Sequence, residues 1–417
     1  MSATQDYRAR MVDPLLDELL SQISAVMVTG PRACGKTTMA ARRVATVVQL
    51  NADAQAAAFL ADPDVALRGL VEPVLLDEWQ EVPGVFGAAR RAVDADPHPN
   101  RFYLTGSVQA LHDNEVWPGT GRFVRLPMYP MTVRERVGDA AAKAFLDKLA
   151  DGDDLTIPVD TPDLRGYIEL SMQSGFPTPA LQLTGRPRRL WLQSYLDDLI
   201  THDIEELEDP ATQRRDPERL RRYVEAYALN SAGVAEHKTI YDAAGIAKTT
   251  AAEYEDLLTR LLVVDQMPAW TSNRLKRLIR APKRYLVDAA LIAAALRLNA
   301  QAVINDGDVL GRMLDTFVVA QLRPEAVIAE SEPRLFHLRT ERGRHEVDVV
   351  VELGGQRVIG IEIKASAAPG VGDARHLQWL REELGDRFVR GLVLHTGPRV
   401  YELDDAITAA PMCALWG

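Results

Sequence analysis

Hydrophobic positions follow three regimes along the chain. Near the start, Met11, Leu15, Leu16, Leu19 and Leu20 recur at helical spacing and predict an amphipathic helix. The run 25–28 is apolar without alternation, as a strand buried on both faces is, and 38–47 reads as a helix behind it. Residues 73–76 and 101–104 predict two further strands of the same kind. In the middle the period is helical throughout. Trp191, Tyr195, Leu196, Leu199 and Ile200 mark one helix, Leu220, Tyr223, Val224 and Tyr227 a second, 239–244 a third and 248–262 a fourth. From about Asp308 the pattern changes again. It predicts a helix at 309–322, strands at 335–339, 345–353 and 357–365, a helix at 373–384 and a strand at 389–395.

These shifts divide the 417 residues into an α/β region at 1–138, a helical linker at 139–216, a small helical module at 217–300 and a second α/β region at 301–417. The first boundary rests on the acidic, irregular stretch 139–162, and Ser174-Gly175-Phe176-Pro177 reads as a turn. Composition adds little beyond a soluble globular class, with 47% hydrophobic and 26% charged residues. The formal net charge of −11 argues against polyanion binding by the whole surface and leaves room for local basic patches. Cys34 and Cys413 are the two cysteines, so a disulfide framework is not expected and a cytoplasmic location is. The longest apolar run, 289–296, is far short of the roughly 20 residues a membrane helix needs, so no membrane partner is expected.

The first chemistry lies after the first strand, at Gly30-Pro31-Arg32-Ala33-Cys34-Gly35-Lys36-Thr37, with Thr38 following. Strand, glycine-containing loop and helix is the order of a phosphate-binding P-loop. Its backbone N–H groups and the helix N-terminus face the phosphates of ATP or ADP. Lys36 reaches the β- and γ-phosphates and the Thr37 hydroxyl takes a place on Mg²⁺. Cys34 is also a candidate for an oxidation that blocks nucleotide. The strand 73–76 ends in Asp77-Glu78, where Asp77 suits the Mg²⁺ shell and Glu78 the activation of water. Thr105-Gly106-Ser107 ends the next strand as either a γ-phosphate sensor, with Ser107 the chosen contact, or a simple turn. Arg122, after Gly119 and Gly121, is either an arginine finger or a solvated loop residue.

In this order the motifs resemble the prokaryotic AAA-type ATPases that carry a characteristic C-terminal domain of unknown function. The likeness runs through Gly30-Pro31-Arg32, Gly35-Lys36-Thr37-Thr38, Leu76-Asp77-Glu78-Trp79-Gln80 with Pro83, Leu104-Thr105-Gly106-Ser107, Gly121-Arg122 and Pro130-Met131-Thr132 with Glu135. The resemblance implies nucleotide-site roles for Lys36, Asp77, Glu78 and the Ser107 region, and a sensor or trans role for Arg122. Trp79 stands where that family usually has a smaller apolar residue.

Farther along, helix, Gly245 turn and helix form a helix-turn-helix pattern, making 217–300 winged-helix-like, with 248–260 the candidate recognition helix. Glu253, Glu255 and Asp256 on it face phosphates badly, and such modules also serve only to join domains. The stretch 274–284 holds Arg274, Lys276, Arg277, Arg280, Lys283 and Arg284 between Trp270 and Tyr285, and suits DNA or RNA backbone contact or docking on an acidic surface.

In the last region, Glu346, Asp348 and Glu352 share one face of their strand, and Glu362 and Lys364 share a face of the next. The element order and the spacing Asp348…Glu362-Ile363-Lys364 resemble the PD-(D/E)XK nucleases. That resemblance implies Mg²⁺ held by Asp348 and Glu362 and a water positioned by Lys364. Asp315 stands where such nucleases often have Glu. An ordinary half-exposed sheet with a polar outer face is the alternative. The combined expectation is a Mg²⁺-dependent ATPase that couples nucleotide state to nucleic-acid binding or cleavage, possible as a homo-oligomer. The alternative is a nucleotide-gated switch or scaffold whose nuclease-like fold binds a partner.

Overall fold

The computed structural model describes residues 7–106, 121–203, 216–234, 237–271, 281–340 and 343–417. It forms two compact units: Met1–Pro130 with Leu258–Val263, and Met131–Leu257 with Val264–Gly417.

The first unit is built on a parallel sheet of β1 (Ala25–Thr29), β2 (Thr46–Gln49), β3 (Val74–Asp77), β4 (Phe102–Gly106) and β5 (Val124–Pro127). Its order is β2-β3-β4-β1-β5. Val26, Val28, Leu75, Leu76 and Leu104 are buried, as unbroken apolar runs require in a sheet covered on both faces. Val48, Phe59, Leu76, Trp79, Phe86 and Leu104 form part of one core layer. The helix expected over 38–47 is shorter. It spans Lys36–Ala40, and Thr46, Val47 and Val48 instead pair with Val74, Leu75 and Leu76. Three β-branched residues beside an unpaired strand edge gain more from the ladder than from another helical turn.

Apart from Leu258–Val263, the three regions expected from residue 139 on lie within the second unit, which begins at Met131. Thr132 and Glu135 form a capping box on the helix Val133–Val137. The Val133 N–H donates to Gln321 at 2.7 Å and Arg134 to Glu325 at 2.6 Å, which ties this helix to Gly307–Ile328. The stretch expected to be irregular holds a helix, Phe145–Asp151. Its Asp147 accepts the Glu330 and Ser331 N–H groups just past the end of the long helix. The turn at Ser174-Gly175 is locked by buried Asp288, which accepts the Ser174 hydroxyl at 2.6 Å and the Gly175 N–H at 2.7 Å.

Helices Pro217–Leu229, His237–Ala244 and Lys248–Arg260 follow, then an antiparallel pair, β6 (Val264–Met267) and β7 (Lys283–Leu286). Gly245, at φ +64°, makes the turn between the second and third helices. Gly233, between the first and second, bridges Arg284 of β7.

The long helix leads into a mixed sheet of β8 (Arg334–Arg339), β9 (Glu346–Glu352), β10 (Val358–Ile363), β11 (Phe388–His395), β12 (Tyr401–Asp404) and β13 (Ile407–Pro411). Its order is β12-β13-β11-β10-β9-β8, so the hairpin β12–β13 extends the expected sheet. Gly360 has no side chain because the helix Arg375–Leu384 presses on β10 there: a Cβ would lie 2.6 Å from a Leu377 methyl carbon. Among the described residues, no helix is long and apolar enough to cross a membrane.

Candidate functional site

Two clusters bring the sequence-picked residues together, one in each unit. In the first, the loop after β1 is shaped by close backbone approach. A Cβ on Gly30 would lie 2.1 Å from the Met128 carbonyl oxygen, so only glycine fits. Ala33 (φ +62°) and Gly35 (φ +103°) take left-handed backbone, bending the loop through Pro31, Arg32 and Cys34 into the helix that carries Lys36, Thr37 and Thr38. Lys36 Nζ donates to the Gly30 and Pro31 carbonyls at 2.9 and 3.0 Å.

The second half of this cluster comes from β3 and β4. Thr37 Oγ1 donates to Asp77 Oδ1 at 2.8 Å across 40 residues of sequence, and Thr105 Oγ1 donates to the same oxygen at 2.5 Å. Asp77 is therefore buried with neutral hydroxyl partners, and with Thr37 it forms the oxygen donor set that Mg²⁺ prefers. Glu78 follows in left-handed backbone at φ +52° and accepts Gln80 Nε2 at 2.6 Å. Trp79 turns inward against Phe86, ring centroids 5.3 Å apart, and its indole lies against Gly106, where a Cβ would be 3.0 Å from Nε1. The large residue at 79 is thus matched by a missing side chain at 106.

Other expectations for this cluster fare differently. Ser107 lies outside the described residues, and the neighbouring hydroxyl of Thr105 is the one that reaches Asp77. Arg122 is not at the loop. It precedes β5, whose start is level with the start of β1 (Val26 beside Val124), whereas the loop follows the far end of β1. At about 3.3 Å per residue the two edges are separated by the length of the strands. Arg122 instead donates to Asp94 Oδ1 at 2.7 Å, near the end of the helix Gly84–Ala95. This topology does not bring Arg122 to the loop of its own chain. Cys34 is fully buried, with Sγ 3.7 Å from the Met128 carbonyl, so its thiol is not placed for attack by a solvent oxidant. Arg10 was missed altogether. It is buried behind the loop and donates to the Cys34 and Tyr129 carbonyls at 2.9 and 2.7 Å.

The second cluster sits where β9 and β10 part. Their antiparallel register runs from Glu352 beside Val358 to Val349 beside Ile361. Beyond that point Asp348 Oδ2 accepts the Ile363 N–H at 3.0 Å. Glu362 is buried, and its Oε2 accepts Lys364 Nζ at 2.7 Å, while Oε1 is buried without a hydrogen-bond partner. Asp348, Glu362 and Lys364 therefore converge as the spacing predicts. The face is buried at Glu362 and at Glu352, which turns in and accepts Trp270 Nε1 at 2.9 Å, and partly exposed at Asp348 and Lys364.

What the spacing did not predict is Lys283. Its ammonium donates to Asp315 Oδ2 at 2.5 Å and Asp348 Oδ1 at 3.2 Å, and its side chain is 2% exposed. Tyr285 OH donates to Asp315 Oδ1 at 3.2 Å. Arg284, the next residue, is also buried and donates to Glu255 at 2.6 Å. Lys283 and Arg284 thus face the interior and are not available to nucleic-acid phosphates, while Arg274, Lys276, Arg277 and Arg280 lie outside the described residues. All four residues of this short strand are buried, so no polar and apolar alternation marked it within the basic run.

Charge is unevenly distributed here. Burial pushes the Glu362 carboxyl up to about 8, with Asp348 adding to the rise and Lys364 opposing it. Burial likewise raises Asp315 to about 6 against the pull of Lys283. For Asp348, burial is outweighed by Lys283 and Lys364, which hold it below the usual carboxylate range. A divalent cation does not fit beside Asp348 in this arrangement, because an ammonium already contacts Oδ1. Among the described residues, no group of three or more His, Cys, Asp or Glu side chains is arranged to hold a metal ion.

Comparison with known proteins agrees with this division. Residues 22–137 match the family model described as AAA domain, 164–302 match a domain of unknown function (DUF8612), and 310–415 match a domain of unknown function (DUF4143). The chain is 29% identical over 407 residues to an uncharacterized protein of Mycobacterium bovis and, equally, to one of Mycobacterium tuberculosis. The alignments cover 95% of this chain and 82% of each relative. A solved Walker-type ATPase of Pyrococcus abyssi aligns with 70% of this chain and 97% of its own at 17% identity, TM-score 0.41. The matches support an AAA-type P-loop ATPase region followed by a DUF4143 C-terminus, and with it ATP binding and hydrolysis.

Proposed function

We propose that this protein is a Mg²⁺-dependent ATP hydrolase. The observation that carries the reading is the hydrogen bond from Thr37 to Asp77, which joins the loop helix to the acid-bearing strand at the edge where parallel sheets bind ligands. Bound there, Mg²⁺ supplies charge neutralisation for the β- and γ-phosphates. The chain's residues do the rest. Backbone N–H groups of Ala33 to Thr37 cradle the phosphates, and Lys36 exchanges its carbonyl partners for phosphate oxygens. Thr37 and Asp77 hold the ion's shell, Thr105 orients Asp77, and Glu78 takes the proton of the attacking water. Lys36→Ala should abolish ATP hydrolysis while leaving the circular dichroism spectrum unchanged; retained turnover would overturn the assignment.

The order of three helices and a hairpin, with Gly233 bridging β7, supports a winged-helix reading of 217–286. The order helix, three antiparallel strands, helix and strand, with Asp348, Glu362 and Lys364 converging, supports the nuclease-like reading of the C-terminal domain. Lys283 on Asp348 favours the reading in which that fold is a nucleotide-gated switch or scaffold over one in which it cleaves nucleic acid. The purified chain should then cut neither DNA nor RNA with ATP and Mg²⁺ or Mn²⁺; cleavage lost in Asp348→Ala would reverse the choice. If Arg122 acts on nucleotide at all, its place at the opposite sheet edge supports action across a subunit boundary in a homo-oligomer.

A further inference from the structure

Removing an ammonium from water costs several kcal/mol unless charged partners and hydrogen bonds replace the solvent. Lys283 is buried to within 2% of its exposure, so the carboxylates of Asp315 and Asp348 must supply that replacement. The converse also holds. Asp315 and Glu362 are buried and Asp348 is partly buried in the same cluster, with Lys364 on Glu362 as the other cation in contact. Without Lys283, Asp315 and Asp348 would lose the ammonium they share, and a buried oxygen of Glu362 already has no hydrogen-bond partner. Such a site must either take up protons or bind another cation.

Lys283 reaches the cluster from outside the C-terminal sheet. It begins β7, and β7 is fastened to the helical module. Ala232 N–H donates to the Arg284 carbonyl at 2.6 Å, Leu286 N–H to Ser231 Oγ at 3.1 Å, and the Arg284 side chain to Glu255 on the helix Lys248–Arg260. On the other arm of the hairpin, Trp270 N–H donates to the His337 carbonyl at 2.6 Å and its indole to Glu352. The strand that carries the ammonium is therefore held from two sides, by the module through Arg284 and Leu286 and by the C-terminal sheet through Trp270 and through His337 Nε2, 3.1 Å from the Ala281 carbonyl.

We propose that Lys283 is an internal cation that closes the acidic site between β9 and β10, and that this ammonium and a divalent metal ion are mutually exclusive occupants of it. Removing the ammonium would leave Asp315, Asp348 and Glu362 as the anions available to a divalent ion. This inference concerns the second unit and stands whether or not the P-loop hydrolyses ATP.

The test uses the full chain without nucleotide and Mn²⁺ as the probe, with free Mn²⁺ followed by electron paramagnetic resonance. The wild type should show no Asp348-dependent Mn²⁺ uptake in the submillimolar range. Lys283→Met should gain one site at least about tenfold tighter, lost again in Lys283→Met/Asp348→Asn. Asp348-dependent uptake by the wild type equal to that of Lys283→Met, or a folded Lys283→Met that gains no site, overturns the proposal. Because Lys283→Met leaves buried acids unpaired and can fail to fold, lysine acetylation read by mass spectrometry provides a second measurement on the wild type. Lys283 should react at least about tenfold more slowly than Lys238, whose side chain is 63% exposed, and faster once Mn²⁺ is forced in at high concentration. Equal reactivity of the two lysines, or Asp348-dependent Mn²⁺ binding that leaves Lys283 protected, overturns it.

Discussion

Both clusters join a lysine to an aspartate at the end of a strand, and they differ in what the aspartate touches. Asp77 accepts two neutral hydroxyls, from Thr37 and Thr105, and Lys36 rests on backbone carbonyls. Asp348 accepts an ammonium and a backbone N–H. A carboxylate bonded to hydroxyls keeps its charge for an arriving cation, whereas one bonded to an ammonium has already spent it. The first cluster thus keeps a carboxylate that no cation among the described residues contacts, as the proposed Mg²⁺ site needs, and the second is satisfied by its own chain. Matching residue types at matching strand ends do not suffice to give the same chemistry; the third partner decides.

That contrast can be attacked from both sides. The largest effect is expected at the loop, where Lys36→Ala should lower ATP turnover by roughly a hundredfold or more, measured as phosphate release. At the second cluster, Asp315→Asn should destabilise the fold by about 3 kcal/mol in chemical denaturation, because it removes one of the two anions holding a buried ammonium. Were the cluster an open metal site, losing a carboxylate from it would instead leave stability unchanged or raised.

The pH response of Glu362 sharpens the comparison further. Its carboxyl is raised to about 8 from an ordinary value of 4.5, chiefly by burial. A raised folded pKa contributes stability that is fully present below pH 4.5, declines as pH rises and is lost above about 8. Glu362→Gln has no such titration. The stability of the variant relative to wild type should therefore increase between pH 5 and pH 9, by up to a few kcal/mol as read from denaturation midpoints. A difference independent of pH would show that Glu362 is charged throughout.

Smaller effects test the details. Thr105→Val removes one hydroxyl from Asp77 and should cost about 1 kcal/mol, seen as a roughly fivefold loss in turnover that Thr105→Ser restores. Arg122→Ala breaks an exposed pair with Asp94, the two side chains 46% and 40% exposed, and should change stability by less than about 1 kcal/mol. It should alter ATP hydrolysis only if turnover per chain rises with protein concentration.

The sequence by itself determined the local elements and the motif strands. Unbroken apolar runs at 25–28 and 73–76 placed Lys36, Asp77 and Glu78 at one sheet edge, because a parallel sheet delivers every strand end to the same side. Alternation likewise placed Asp348 opposite Glu362 and Lys364, since a strand's period of two is fixed by its backbone. Tertiary structure decided what those residues meet. Strand order put Thr105 on Asp77 and carried Arg122 to the far edge, and strand pairing turned 46–49 from helix to sheet. It also turned Lys283 inward onto Asp315 and Asp348. A basic residue in a basic run reads as solvent-facing until its strand has a partner. Only the packing of that strand between two other elements gives the lysine a direction, and the anions that make its burial affordable lie 32 and 65 residues away.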